Sequence, residues 1–287
     1  MKLNLGLIPV FAICIALASC SKTDDTPAPV NIAAKTMLNE PYGTDPLQKM
    51  DIYLPANRSP VNTKALVLIH GGGWTQGDKN DFAAVIDTLK KRLPDYAIFN
   101  INYRLAGLAG NLFPTQELDT KSAIDFINGN LGNYVVSNKF VFMGASAGAH
   151  LSLLNAYKYH SNVNAKAVVD FFGPTDMADM YNNPGAYPAA TIGILLGGTP
   201  VTNPSAYAQS SPMTYVNAQS CPTIILQGLT DPLVNPTTQS LALKTKLTAF
   251  NIVNDYVTYP GGHGNWDAAT YSNAYDKIVA FLTANVR

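Results

Sequence analysis

Short apolar runs alternate with amphipathic stretches along most of the chain. The runs at 65–69, 96–102 and 222–228 are largely hydrophobic, which is typical of strands that are buried on both faces. The predicted strands are 47–54, 65–69, 96–102, 139–143, 166–171, 222–228 and 254–260, and the predicted helices are 82–93, 115–128, 147–159, 236–250 and 266–285. Because helices separate these strands, we predict an α/β fold with a mostly parallel sheet and helices on both faces.

The first 19 residues have the layout of an export signal. A lysine near the start precedes an apolar stretch at 5–18, which is too short to span a bilayer comfortably, and small residues follow up to Cys20. The letters LASC resemble the bacterial lipobox, whose cysteine receives a lipid. We therefore predict a lipoprotein signal peptide at 1–19, lipidation of Cys20 and a lipid-anchored protein of the cell envelope. The alternatives are an ordinary cleaved signal and a transmembrane anchor.

Composition narrows the classes of partner. Residues 20–34 are polar and rich in proline, which predicts a flexible spacer before a folded domain at 35–287. The 19 Lys and Arg residues balance the 19 Asp and Glu residues, and no block of basic residues occurs. This balance argues against nucleic acid as a partner and is compatible with an uncharged substrate.

Cysteine and histidine usage argues against a disulfide or a metal site. Of the three cysteines, Cys14 would leave with the signal peptide and Cys20 would carry the lipid, so Cys221 alone remains in the folded domain. Cys221 precedes a proline at the start of an apolar run, so we interpret it as a buried packing residue. The chain has no Cys-x-x-Cys pair and no cluster of histidines, and we predict neither a metal nor a cofactor.

The stretch FVFMGASAGAHL, residues 140–151, places a serine between two glycines where a predicted strand meets a predicted helix. A sharp strand-to-helix turn of this kind exposes the side chain at its tip, and Gly144 and Gly148 would allow the close backbone contacts that the turn requires. We therefore predict that Ser146 is a nucleophile. In the alternative interpretation, the glycines serve only tight packing of the helix on the sheet.

A serine hydroxyl needs a base to take its proton. Two histidines, His160 and His263, follow Ser146 at a distance that leaves room for an acid between them, and His160 comes near the end of the helix that Ser146 begins, far from its tip. His263 lies in the glycine-rich stretch YPGGHGNW after a strand, where it could reach the serine. Since the histidine comes last in this type of sheet, we predict that His263 is the base.

An acidic residue should orient that histidine. The chain has no glutamate after Glu117, which leaves aspartates that follow predicted strands. Asp231 comes directly after the strand 222–228 and precedes a proline, and we favour it as the acid. Asp170 and Asp176, at and after the preceding strand, are the alternatives.

The stretch VLIHGGGWTQGD, residues 67–78, ends a predicted strand with three glycines. Backbone N–H groups in such a loop can stabilise an oxyanion together with the residue after the nucleophile. We predict that this role falls to Gly72, Gly73 and Trp74 with Ala147. A phosphate-binding loop is disfavoured because no Gly-Lys-Ser/Thr ending and no G-x-G-x-x-G follows.

Five motifs in this order resemble the esterase/lipase group of α/β-hydrolases: HGGGW (70–74), NYRL (102–105), FPTQELDTKSAIDFI (113–127), GASAGAHL (144–151) and DPLV (231–234). The similarity is greatest to the short branch that includes acetyl xylan esterase and feruloyl esterase-like enzymes. It implies an α/β-hydrolase fold and a serine esterase acting on small-molecule or polysaccharide esters. The stretch AGLAGNLFP departs from the usual Pro-Glu after Arg-Leu, which leaves the specificity open.

The resemblance also suggests supporting roles. His70 and His150 should orient the glycine loop from beneath, and Arg104 should form a buried ion pair with Asp119. The segment 173–220 is long for a connection and rich in proline, glycine and tyrosine, so we predict a small lid that forms the substrate pocket together with Trp74.

These features favour a carboxylic ester hydrolase that acts through an acyl-enzyme, without cofactor or metal, on neutral substrates such as acetylated or feruloylated carbohydrates. An arylformamidase-type amide hydrolase would use the same three side chains. A non-catalytic binding lipoprotein on the same fold is a further alternative, although such proteins typically lose the nucleophile or the base.

Overall fold

A computed structural model describes residues 1–2, 31–108, 110–159 and 163–287. The contacts separate the chain into two units, 1–31 and 32–287, and all the strands and helices given below belong to the second. Residues 3–19 of the predicted signal peptide, the predicted lipidation site Cys20 and His160 lie outside the described residues. Within the predicted spacer, the Ile32 carbonyl accepts a 2.7 Å hydrogen bond from the Asn57 N–H, so ordered structure extends slightly ahead of residue 35.

The described residues form eight strands and nine α-helices. The strands are β1 (Lys35–Pro41), β2 (Lys49–Leu54), β3 (Lys64–Ile69), β4 (Tyr96–Ile101), β5 (Phe140–Ala145), β6 (Ala165–Phe171), β7 (Thr223–Gly228) and β8 (Asn254–Tyr259). The helices are α1 (Ala83–Arg92), α2 (Thr115–Gly129), α3 (Leu131–Tyr134), α4 (Ala147–Lys158), α5 (Met177–Asn182), α6 (Ala189–Leu195), α7 (Pro204–Ser210), α8 (Ala242–Ala249) and α9 (Ala268–Asn285). Among the described residues, no helix is long and apolar enough to cross a membrane.

All eight strands belong to one sheet, in the order β1-β2-β4-β3-β5-β6-β7-β8. Strand β2 pairs antiparallel with both β1 and β4, and the remaining pairs are parallel. The prediction of a mostly parallel sheet is therefore confirmed. In parallel strands the carboxyl ends meet at one edge, where ligands bind in open α/β sheets.

The sheet carries an apolar layer on each face because its central strands are buried on both sides. Val67 and Ile69 of β3 belong to the cluster that contains residues of α2 and α4. Leu66 and Leu68, which point the opposite way, belong to the cluster that contains residues of α1 and α9. Strands of this kind read as continuous apolar runs, which is why the sequence predicts them well.

Several elements differ from the predictions. Strand β1, which was not predicted, lies at the sheet edge and is exposed or only half-buried along its length, so its sequence lacks the apolar run of a core strand. Helix α1 is preceded by a 3₁₀ turn at Lys79–Phe82, and a π-helical turn at Pro236–Leu241 leads into α8. The segment 173–220 contains the three short helices α5, α6 and α7.

Candidate active site

Ser146 stands between β5 and α4 with φ 55° and ψ −122°, a conformation that L-residues rarely adopt. A side chain at Gly148 would overlap the Ile69 carbonyl, and one at Gly144 would overlap the backbone of Gly148. The Ser146 N–H donates a 2.8 Å hydrogen bond to the Phe171 carbonyl on β6. Close packing of α4 on the sheet therefore holds the serine in its strained conformation.

His263 and Asp231 form a direct pair. The Nδ1 of His263 lies 2.7 Å from Oδ2 of Asp231, whose other oxygen accepts hydrogen bonds from the N–H groups of Leu233 (2.8 Å) and Val234 (3.0 Å). Burial would raise the pKa of Asp231, but the hydrogen bond and charge of His263, with those N–H groups, outweigh it and lower that pKa below its usual value. The carboxylate is therefore ionised and held to face the ring.

Two neighbours of this pair were not predicted from the sequence. Gln227 on β7 donates a 3.0 Å hydrogen bond to Asp231 Oδ2, and the Phe172 ring lies 4.5 Å from the His263 ring, centroid to centroid. Phe172 has φ 44°, which is unusual for an aromatic residue. Neither residue belongs to a recognisable motif. The only signal in the sequence is that both lie at the carboxyl end of a strand, Gln227 within β7 and Phe172 directly after β6.

The alternative acids occupy other places. Asp170 is fully buried on β6, where its Oδ1 accepts a 2.7 Å hydrogen bond from the Gly173 N–H, and burial raises its pKa to about 7 despite that bond. Asp176 caps α5 by accepting hydrogen bonds from the N–H groups of Ala178 and Asp179. Among the described contacts, only Asp231 pairs with His263.

One cavity of about 290 Å³ is shared by the serine, the histidine and the glycine loop. Ser146 and His263 both line it, as do the lid residues Met180 and Tyr187. The other lining residues are Gly72, Gly73, Trp74, Thr75, Gln76, Phe172, Pro174, Leu233 and Val234. The fold thus brings the segments that the sequence singled out to one cavity at the carboxyl edge of the sheet.

The glycine loop approaches Ser146 closely. A Cβ placed on Gly71 would lie 3.5 Å from the Ser146 Cβ, and Gly72, Gly73 and Trp74 have φ values of 100°, 57° and 63°. Within the described part of the chain, the N–H groups of Gly73, Trp74 and Ala147 have no hydrogen-bond acceptor. Successive unpaired N–H groups beside a nucleophile can accept developing negative charge.

The Trp74 side chain anchors this loop from below. It is 1% exposed, and its Nε1 donates a 3.1 Å hydrogen bond to Nδ1 of His150. The Nε2 of His150 in turn donates to the Ser210 carbonyl at 2.6 Å, which defines the tautomer of a neutral ring. Burial lowers the pKa of His150 to about 4, although the Ser210 carbonyl opposes this shift. His150 therefore supports the glycine loop, which agrees with its predicted role, and also connects that loop to the lid, which was not predicted.

His70 packs beneath the same loop. Its ring stacks on Tyr103 with centroids 4.3 Å apart, and its Nδ1 lies 2.8 Å from the Gly71 carbonyl. The Tyr103 hydroxyl donates a 3.0 Å hydrogen bond to the His70 carbonyl. These contacts agree with the predicted supporting role.

The predicted ion pair between Arg104 and Asp119 is present, but only the acid is buried, because the Arg104 side chain is 31% exposed. The guanidinium makes two hydrogen bonds to the carboxylate, at 2.8 and 2.6 Å, and Asp119 is 1% exposed. Cys221 is buried, as predicted, and burial raises the pKa of its thiol to about 12. In the described ranges, no group of three or more His, Cys, Asp and Glu side chains could hold a metal ion.

Several known proteins are similar to this chain. A family model described as BD-FAE matches residues 50–247. Esterase LipQ of Mycobacterium tuberculosis is 26% identical over 261 residues, which cover 85% of this chain and 60% of LipQ. Kynurenine formamidase of Scheffersomyces stipitis is 32% identical over 116 residues, which cover 39% of this chain and 40% of that enzyme.

Among solved structures, a truncated form of a carbohydrate esterase from gut microbiota has a TM-score of 0.73 and 24% sequence identity. The similarity covers 87% of this chain and 95% of that one. This chain thus shares its fold with that protein along nearly the whole domain, whereas it spans less than two thirds of the length of LipQ.

Proposed function

The chain belongs to the BD-FAE family, and from this premise and the geometry of the site we propose that it is a serine-dependent carboxylic ester hydrolase. Its fold is that of the α/β-hydrolases, as the sequence predicted. One observation carries the proposal: His263, whose Nδ1 lies 2.7 Å from the Asp231 carboxylate, lines the same cavity as the strained Ser146. Among the serines of the described chain, only Ser146 has a positive φ.

In the proposed reaction, Ser146 Oγ attacks the ester carbonyl carbon while Nε2 of His263 takes its proton. The ionised Asp231 stabilises the imidazolium through Nδ1. The carbonyl oxygen becomes an oxyanion that the unpaired backbone N–H groups of Gly73, Trp74 and Ala147 stabilise, with Gly72 as the further candidate. When this intermediate collapses, the bond between the carbonyl carbon and the alcohol oxygen breaks and His263 protonates that oxygen, which leaves an acyl-enzyme. A water molecule, deprotonated by His263, then attacks the acyl group and frees the acid and Ser146.

The proposed substrates are neutral acylated molecules, with acetylated or feruloylated carbohydrates as the leading class. No Lys or Arg lines the cavity, so the site offers no cation to hold a carboxylate or phosphate on the substrate. The similarity to short-branch carbohydrate esterases noted from the motifs supports a sugar ester.

Purified protein should therefore react with a fluorophosphonate probe and hydrolyse nitrophenyl acetate. A parallel series of acetyl, butyryl, longer-chain and feruloyl esters would define the acyl group. We expect one mole of label per mole of protein and a preference among these esters. A protein that takes no label and turns over none of them is a binding protein, and the proposal is then wrong.

An amide hydrolase of the arylformamidase type is the second candidate, favoured by the 32% identity to a kynurenine formamidase over part of the chain. Both activities need the same nucleophile and base, so the substrate alone separates them. Turnover of N-formylkynurenine at a kcat/KM well above that of nitrophenyl acetate would establish the amidase instead.

We also propose that Cys20 carries a lipid that attaches the protein to the outer membrane, on its periplasmic or surface side. The support is the sequence LASC and the polar spacer after it. Expressed from the full chain, the wild type should fractionate with membranes, and Cys20→Ala should release it or leave it with an unprocessed signal. Equal membrane retention of a processed Cys20→Ala protein would refute the lipid anchor.

A further inference from the structure

The carbonyl groups of the glycine loop are held by different kinds of donor. The Gly72 carbonyl accepts hydrogen bonds from the N–H groups of Thr75 (3.2 Å) and Gln76 (3.0 Å) within the loop itself. The Gly73 carbonyl accepts one from the phenol of Tyr187, at 3.2 Å. Tyr187 belongs to the lid, more than a hundred residues away along the chain, so a side chain from a distant segment holds this carbonyl.

The hydrogen bond from Tyr187 also fixes the orientation of the peptide between Gly73 and Trp74. In a planar trans peptide, the C=O and the N–H point in opposite directions. The Tyr187 phenol holds the Gly73 carbonyl and thereby sets the direction of the Trp74 N–H, which is one of the unpaired N–H groups beside Ser146. Trp74 has φ 63°, and a non-glycine residue in that region persists only where its surroundings impose it.

The Tyr187 phenol also fills the space beside Gly73. A Cβ on Gly73 would lie 2.5 Å from the Tyr187 hydroxyl oxygen. Burial raises the pKa of Tyr187 to about 12, so the phenol remains a donor throughout the neutral range. Its ring meets the Trp74 ring edge-on, with centroids 6.3 Å apart. The contact is thus both polar and packed.

The segment that carries Tyr187, residues 183–188, is itself attached to the turn that follows the acid. We call this segment the strap. The Ala186 N–H donates a 2.7 Å hydrogen bond to the Pro232 carbonyl, directly after Asp231. Gly185 has φ 55°, and a side chain there would overlap the same carbonyl. The strap therefore joins the glycine loop to the turn of Asp231 beside the cavity that Tyr187 lines.

We propose that Tyr187 is a positioning residue for the oxyanion site, with the strap linking that site to the turn of the catalytic acid. The inference rests on the proposed ester hydrolysis. Tyr187 acts through the Gly73–Trp74 peptide and transfers no proton. Its hydrogen bond matters most when negative charge develops on the substrate oxygen, so its loss should affect the transition state more than substrate binding.

The test compares Tyr187→Phe with a matched control in the same lid. Tyr207 also donates its phenol to a glycine carbonyl, that of Gly198, at 2.9 Å, but it does not line the cavity. Loss of a direct oxyanion donor costs about 10²–10³ in kcat, so a group that only orients one should cost about tenfold. We expect Tyr187→Phe to lower kcat about tenfold with KM within about twofold, and Tyr207→Phe to change neither by more than about twofold.

A second readout separates positioning from general packing. An alkyl boronic acid forms a tetrahedral adduct with the serine and resembles the transition state, so its affinity should fall about tenfold in Tyr187→Phe, in parallel with kcat/KM. An unchanged kcat, a higher KM at constant kcat, or equal losses in both variants would overturn the inference. Wild-type turnover is measured first, because its absence would refute ester hydrolysis itself and the inference with it.

Discussion

Ser146→Ala is expected to lower kcat toward nitrophenyl acetate about 10⁶-fold, to the level left by the oxyanion site and substrate binding. The hydroxyl is the only group that could form the acyl-enzyme at this position, and alanine fits the strained turn no worse than serine. The variant should also fail to react with a fluorophosphonate probe. Burst kinetics and intact-protein mass spectrometry measure both effects.

A suitable control lies on the same helix. Ser152 of α4 is fully buried, and its hydroxyl donates a 2.8 Å hydrogen bond to the Gly148 carbonyl. Ser152→Ala removes a serine of equal size within two turns of the nucleophile, yet we expect turnover within about threefold of wild type. If Ser146→Ala retains label or more than about 1% of wild-type turnover, the reaction uses another nucleophile.

Asp231→Asn should cause the second-largest loss of activity, with kcat lowered about 10⁴-fold. An amide at this position removes the negative charge that faces Nδ1 of His263 at 2.7 Å, and it can stabilise the wrong tautomer by donating to that nitrogen. The overall fold should survive, because the side-chain volume is unchanged and the amide oxygen can still accept from the N–H groups of Leu233 and Val234. Steady-state kinetics with a melting curve for each variant tests this.

The two alternative acids provide matched controls for that variant. Asp170→Asn and Asp176→Asn make the same chemical change at carboxylates that contact Gly173 and the start of α5 rather than His263. We expect each to retain kcat within about fivefold of wild type. A loss at Asp170 that equals the loss at Asp231 would mean that the acid acts from β6, and that the observed pair is not the catalytic one.

Chain order in the sequence does not by itself separate Asp231 from Asp170 as the acid. Asp170 and Asp231 both belong to the carboxyl ends of neighbouring parallel strands, β6 and β7, so chain order alone admits either one. The carboxylate of Asp170, however, accepts from the Gly173 N–H, whereas Asp231 follows its strand by three residues and faces Nδ1 of His263. The direction of a side chain at a strand end depends on the exact residue at which the strand stops, and such boundaries are hard to read from a sequence.

The fold itself was largely predictable because its determinants are local. The central strands are continuous apolar runs, and glycines mark the turn at Ser146 because backbone from Ile69 fills the space that a side chain at Gly148 would need. Strand β1 was not predicted because an exposed edge strand has no apolar run that would indicate it in the sequence. The short helices of the lid were not predicted either, because few of their residues are buried in the core and their sequences show no clear apolar face.

The sequence by itself determined the α/β architecture, the nucleophile turn, the candidate base and the glycine loop, because periodicity and glycine placement act over a few neighbouring residues. Only the tertiary structure decided which aspartate pairs with His263, and that Phe172, Gln227 and Tyr187 complete the site. These contacts join segments that are far apart along the chain. No local pattern encodes them, because they arise only when the strand ends meet at one edge of the sheet.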